Sequence, residues 1–176
     1  MLVRGYRGKH PMIGERVFIA ETAAVIGDVE IGDDCSIWYG TVIRADVNQV
    51  RIGARTNIQD NCTLHVTRDT WPVILEDEVT LGHGVIAHGC TVRRGSLLGI
   101  GSLVLDGAVI GEECIVAAGT LVPEGTIVPP RSLVMGVPGR VRRSLGDDDL
   151  RFLARFHRNY LEYKEIYLEE SPGEFR

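Results

Sequence analysis

The chain reads as an all-β solenoid, a parallel β-helix of hexapeptide repeats followed by one C-terminal α-helix. Two periodicities predict this. An aliphatic residue recurs at every sixth position: Ile31, Ile37, Ile43, then Ile52, Ile58, Leu64, then Leu75, Leu81, Ala87, then Val92, Leu98, Val104, Ile110, Val116, Val122 and Val128. The fourth residue after each is usually small or β-branched, as at Cys35, Thr41, Thr56, Cys62, Val79, Val85, Ser96, Ser102 and Cys114. A hexapeptide repeat sustained this long is the pattern of a parallel β-helix. Past Gly146 the spacing changes to three and four, which is the period of an amphipathic helix.

Taken in order, residues 1–12 are expected to form an irregular lead-in or cap. The coil then starts between Ile13 and Val25 and runs to about Val134. Gly27, Gly32, Gly53, Gly82 and Gly111 follow apolar residues at the corners, where a positive φ is often needed. Two steps of the repeat run long, with RADVNQV after Ile43 and HVTRDTWPVI after Leu64. Both inserts are expected as loops beside the same face, where they can shape the mouth of a site. Pro123-Glu124-Gly125-Thr126 and Pro129-Pro130 mark the last turns, and Gly136-Val137-Pro138-Gly139 is a turn leaving the solenoid. Asp147-Asp148-Asp149 suits a helix N-terminus, where the dipole favours acids. Leu150, Leu153, His157, Tyr160, Lys164 and Tyr167, widened by Ala154, Leu161 and Leu168, predict one helix over 147–170, ending before Ser171-Pro172. The expected organisation is a β-helix over 1–140 and a helix within 141–176 packed on it, in one domain.

Composition narrows the function classes. The chain has 176 residues, a net charge of −5 and no basic run, which argues against a nucleic-acid partner. No apolar stretch reaches membrane-spanning length. The start MLVRGYRGKH lacks the apolar core of a secretion signal, so a cytoplasmic protein is expected. Cys35, Cys62, Cys90 and Cys114 form no C-x-x-C pair, and three of them fill the small inward slot, so packed reduced thiols are expected.

The histidines carry the chemistry. Three hexapeptides make one triangular turn, so repeats three apart share a face, and neighbouring turns stack about 4.8 Å apart. Arg44, His65 and His88 each follow an inward aliphatic residue and should form an outward ladder on one face. The preceding face carries Trp38, Gln59, Asp60 and His83. Histidines on two faces do not easily converge within one chain but can if a second copy docks against the first, and a cyclic homotrimer would do this three times over. Three imidazoles with no fourth protein ligand suit the open site of a catalytic zinc. A single histidine on a solenoid surface is ordinarily a solvated side chain. A protonated pair this close would repel, however, and a metal is the simplest group to hold it neutral.

The segments Arg44-Ala45-Asp46-Val47-Asn48, Arg51-Ile52-Gly53, Thr56-Asn57-Ile58-Gln59-Asp60, His65, and Gly82-His83-Gly84 through His88-Gly89-Cys90 resemble the γ-class carbonic anhydrases over nearly the whole chain. The resemblance implies a left-handed parallel β-helix, a homotrimer, and a metal at each subunit interface, Zn2+ or in some members Fe2+ or Co2+. It implies His65 and His88 from one subunit and His83 from its neighbour as ligands, with CO2 and bicarbonate as substrate and product. By the same resemblance Arg44 pairs across the interface with Asp60, and Gln59 stands beside the metal-bound water. Asp46 and Asn57 hold interface and site geometry, and Tyr160 reaches toward the pocket. The founding type carries a glutamate where this chain has Val47, and an acidic loop where it has Val66-Thr67-Arg68-Asp69, so the usual proton shuttles are missing. The competing readings are a hexapeptide-repeat acyltransferase or thioesterase acting on CoA thioesters, and a structural or assembly trimer.

Overall fold

The computed structural model describes residues Met1–Glu170, and Ser171-Pro172 lies outside them. The chain winds into a parallel β-helix with three faces. On the first, Phe18–Ile19, Ser36–Ile37, Asn57–Ile58, Thr80–Leu81, Leu97–Leu98, Ile115–Val116 and Ser132–Gly136 stack in that order, each parallel to the next. The second face stacks Leu2–Arg4, the first halves of Ala24–Ile31 and Val42–Ile52, then Thr63–His65, Ile86–His88, Leu103–Val104 and Leu121–Val122. The third stacks Met12–Ile13, the second halves of the same two long strands, then Val73–Leu75, Thr91–Val92, Val109–Ile110 and Ile127–Val128.

Every member of the six-residue aliphatic series is buried. The small slots beside them are polar where they bond to backbone. Thr41 Oγ1 donates to the Gln59 carbonyl at 2.7 Å, and Ser96 Oγ to that of Gly111 at 2.7 Å. The four cysteines are buried and unpaired, and burial pushes the Cys35 and Cys62 thiols up to about 12. They are inert packing groups at neutral pH. Because each turn buries its aliphatic rungs only against neighbouring turns, truncating one should be costly. Leu98→Ala is expected to lower unfolding stability by about 2–5 kcal/mol in chemical denaturation; a loss under about 1 kcal/mol would contradict this packing.

Four sequence expectations are corrected. The coil begins at residue 2, because Leu2–Arg4 already pairs with Ala24–Ile26. As an edge strand with exposed side chains it leaves no burial alternation to read. The RADVNQV insert is no loop but part of the continuous strand Val42–Ile52, which turns a corner opposite a register shift at Gly27/Val29. Of the five corner glycines only Gly27 has a positive φ, +87°. At Gly53 the demand is close approach, since a Cβ would lie 2.5 Å from the Asp77 amide nitrogen. Finally, the turn at 136–139 closes a hairpin, and Gly139–Ser144 runs antiparallel to Ser132–Gly136 across the expected 140/141 boundary. Its Arg140, Arg142 and Arg143 are exposed, a charged strand capping the last edge of the sheet.

One corner carries an unusual stack. Arg16, Asp34, Arg55, Glu78, Glu113 and Arg131 all have φ between 51° and 62°, one per turn, with Gly95 taking the place between Glu78 and Glu113. The signs alternate on either side of Gly95, and neighbours pair: Arg16–Asp34 at 2.7 Å, Arg55–Glu78 at 3.0 Å and Arg131–Glu113 at 2.6 Å. Exposed pairs of this kind add only about 0–1 kcal/mol each, so they set register more than stability.

The helix Asp147–Glu170 lies along this corner and the first face. Asp149 accepts from the Gly146 amide at 2.9 Å and is gripped by Arg143, fixing the helix start. Near that end Leu150, Leu153 and Phe156 pack with Leu97, Ile115, Leu133 and Leu145. Near the other end Tyr160, Tyr167 and Leu168 pack with Phe18 and Trp38. At 1.5 Å per residue, Leu150 to Tyr167 spans about 26 Å, close to the six inter-strand steps of about 4.8 Å from Phe18 to Leu133. The helix is a brace along the solenoid. No helix among the described residues is long and apolar enough to cross a membrane.

Candidate metal centre

The parallel register sets Arg44 beside His65 and His65 beside His88, the outward ladder that the repeat predicts. Their rings tilt toward one another, with centroids 5.1 Å apart. His65 Nδ1 lies 3.0 Å from His88 Nε2. Each ring is backed by a carboxylate on its other nitrogen: Asp46 Oδ1 is 3.2 Å from His65 Nε2, and Asp106 Oδ1 is 2.5 Å from His88 Nδ1. A carboxylate can only accept, so those outer nitrogens carry the hydrogens. When both rings are neutral, the two inner nitrogens face each other with lone pairs.

Lone pairs held at that distance repel unless a cation lies between them. Two nitrogens bound to one tetrahedral zinc at about 2.0–2.1 Å would be about 3.3 Å apart, close to the spacing seen here. Burial holds the His65 imidazole below its ordinary pKa despite the hydrogen bond to Asp46, which favours the neutral, ligating form. Burial raises the Asp46 carboxyl, but hydrogen bonds from Arg44 and His65 outweigh it and keep it ionised. The donor set therefore fits a divalent metal with a backing carboxylate on each imidazole.

His83 sits at the corner after Thr80–Leu81, on the first face. Its Nδ1 is 2.7 Å from Asp60 Oδ2, so Nε2 takes no part in that bond, and its side chain is 47% exposed. Among the described residues no three His, Cys, Asp or Glu side chains of one chain converge on a metal position. His83 therefore presents its other ring nitrogen on one face while His65 and His88 present a facing pair on another.

The remaining candidates divide the same way. Asn57 and Gln59 are buried on the first face. Gln59 Nε2 donates to Asn57 Oδ1 at 3.2 Å, and Asn57 Nδ2 to Thr80 Oγ1 at 2.7 Å. Tyr160 packs edge-on to Trp38 with centroids 5.6 Å apart, and burial with the nearby Asp60 charge pushes its hydroxyl up to about 12. Tyr160 and Asp60 line one hollow of about 360 Å³, so the tyrosine belongs to the His83 side. Within one chain Arg44 is paired with Asp46 and Asp60 with His83, so neither is paired with the other. Val47 packs on the core, and Asp69 and Arg68 line a polar hollow of about 350 Å³ that also holds Asp46.

Sequence reasoning missed Asp106. It lies eighteen residues after His88, one turn along the solenoid, so a scan for carboxylates one turn from each histidine would have found it.

Comparison with known proteins places the chain in context. A family profile described as bacterial transferase hexapeptide (six repeats) matches residues 10–45. A carbonic anhydrase of Geobacillus kaustophilus is 47% identical over 94% of this chain and 91% of its own length. A mitochondrial gamma carbonic anhydrase of Arabidopsis thaliana is 39% identical over 95% of this chain and 62% of its own length. Among solved structures, a hexapeptide transferase family protein from Anaplasma phagocytophilum superposes with a TM-score of 0.90 at 38% identity, over 95% of this chain and 98% of that one.

Proposed function

Since this chain belongs to the γ-class carbonic anhydrase family, we propose that it catalyses reversible CO2 hydration at a metal held between copies of itself. The observation that carries this reading is the pair of imidazole nitrogens that face each other 3.0 Å apart, each ring backed by a carboxylate. His65 and His88 of one copy and the partner subunit's His83 would hold the ion, Zn2+ or else Fe2+ or Co2+, in a homotrimer. When bound, such an ion acidifies a water and supplies hydroxide at neutral pH for attack on CO2.

The chain's own residues build the site around it. Asp46 and Asp106 hold two ligand rings, and Asp60 holds the third. Arg44 neutralises Asp46 and, as the family resemblance implies, would meet the partner's Asp60. The Gln59–Asn57–Thr80 chain of hydrogen bonds fixes an amide on the His83 side, where it can orient CO2 or bicarbonate. The weak point is proton exit. Val47 carries no ionisable group and packs on the core, which leaves exposed Asp69, in the same hollow as Asp46, as the candidate shuttle.

Stopped-flow CO2 hydration on zinc-loaded protein tests the reading. Hydration should require the metal and rise with added imidazole, because buffer replaces the missing shuttle. Arg68→Glu should raise the rate at low buffer and matter less at high buffer. A fast, buffer-independent rate would show that another group moves the proton. No hydration with zinc, ferrous iron or cobalt would turn the assignment to thioester chemistry on the same solenoid.

A further inference from the structure

We propose that Asp106 is the positioning residue of this centre: it locks His88 in the tautomer that ligates through Nε2 and supplies the negative charge that strengthens that ligand. This rests on the metal reading above. Three features of the structure argue for it.

First, Asp106 is committed on both oxygens. Oδ1 accepts from His88 Nδ1 at 2.5 Å, and Oδ2 accepts from the Thr67 hydroxyl at 2.5 Å. With one oxygen pinned by a hydroxyl, the other has a fixed direction, and the imidazole plane is set with it. Second, the backbone around it makes room. A Cβ at Gly89 would lie 2.3 Å from Asp106 Oδ1, and a Cβ at Gly107 would meet the Trp71 indole at 3.1 Å. Gly89 and Gly107 let the carboxylate and the indole lie close against the solenoid corner, beside the histidine pair. Third, the two backing carboxylates are not equivalent. Asp46 is paired with the Arg44 guanidinium as well as with His65. Asp106 has no Lys or Arg partner among the described residues; its neighbours are a neutral hydroxyl and an imidazole. Its charge is not cancelled, and a dication bound at His88 Nε2 would feel it through the ring. A carboxylate behind a ligand histidine raises the ligand's basicity, and its loss typically weakens metal binding about 10- to 100-fold.

The experiment compares wild type, Asp106→Ala and Asp106→Asn as full chains. Two readouts are used: zinc affinity by chelator competition, and the His88 tautomer by long-range proton–nitrogen correlation on metal-free protein. Wild type should show a single tautomer protonated at Nδ1. Asp106→Ala should mix the tautomers and weaken zinc about 10- to 100-fold. Asp106→Asn keeps an acceptor of the same shape without the charge, so it should restore the tautomer and recover only part of the affinity. An Asp106→Ala protein with an unchanged tautomer and zinc affinity within about twofold of wild type overturns the proposal, by the measure that backing residues ordinarily set. Failure of Asp106→Asn to recover either readout would overturn it too, marking the alanine loss as collapse of packing. If wild type holds no zinc while the tautomer still shifts in Asp106→Ala, the metal reading fails and the ring-positioning part stands. Should Asp106→Ala not fold, Asp106→Asn decides alone: it removes the charge and keeps an acceptor toward His88 Nδ1, so a zinc affinity equal to that of wild type would overturn the proposal.

Discussion

His65→Ala and His83→Ala, each made alone, should lose bound zinc and CO2 hydration to background, and should regain both when the two variants are assembled together. The first half follows from ligand number. Three imidazoles leave no spare donor, and a site reduced to two cannot hold a catalytic ion against solvent. The second half follows from the placement of the rings. His65 and His88 point from one face with their inner nitrogens 3.0 Å apart, while His83, held by Asp60, stands on another face. If each site takes a pair from one copy and His83 from the next, a ring containing both variants has a single junction where an intact pair meets an intact His83. Mixed trimers should then carry one zinc each, read by metal analysis after denaturing, mixing and refolding. Recovery of neither metal nor activity, from mixtures shown by sedimentation to be trimeric, would sink the shared-site geometry. A stable monomer holding stoichiometric zinc would sink it sooner.

Much of this arrangement was legible in the sequence, and the physical reason is the rigidity of the repeat. A period of six with three strands per turn leaves little freedom, so the partners of Ile58, Leu81 and Leu98 follow once the register is counted through the two long steps. Arg44, His65 and His88 fell on one ladder for that reason, and His83 on another face. Features set by side chains reaching between turns were not legible. Asp106 backs His88 from one position off the direct register, which alternation does not encode; Asp60, in direct register with His83 as Ile58 is with Leu81, was the legible exception. The strand Gly139–Ser144 was hidden because an edge strand needs no apolar face, and GRVRRS has almost none. The alternating corner stack was hidden because its members are scattered through the sequence and share only a backbone conformation. Lys164 is the sharpest case. It lies on the helix's packing stripe, where a lysine is expected to reach out to solvent, yet it is almost completely buried.

Lys164→Met should therefore release the end of the helix from the solenoid, with a cost of about 3 kcal/mol, the lower end of what breaking a buried ion pair takes. Lys164 is 1% exposed. Its Nζ donates to the Arg16 carbonyl at 3.1 Å and to Asp34 Oδ1 at 3.0 Å, with Glu165 at 2.6 Å. These bonds tie the helix to the first rungs of the corner stack, next to the Phe18, Trp38, Tyr160 and Tyr167 rings. Methionine keeps the volume and removes the charge, leaving the Arg16 carbonyl unpaired and Asp34 with Arg16 alone. The lower end of the range applies because Asp34 is partly exposed and keeps that second partner. Amides from Tyr160 to Tyr167 should lose hydrogen-exchange protection while the solenoid strands keep theirs. The effect also has a pH signature. Hydrogen bonds from Arg16 and Lys164, against the opposing effect of burial, hold the Asp34 carboxyl down to about 2, below its ordinary 3.8. A carboxyl depressed in the folded state contributes its full stabilisation above the unfolded value and loses it as pH falls toward the folded one. The stability gap between wild type and Lys164→Met should thus be constant above about pH 4 and narrow between about pH 4 and 2. A gap that persists unchanged to pH 2, or helix amides as protected in the variant as in wild type, would show that the aromatic cluster alone docks the helix.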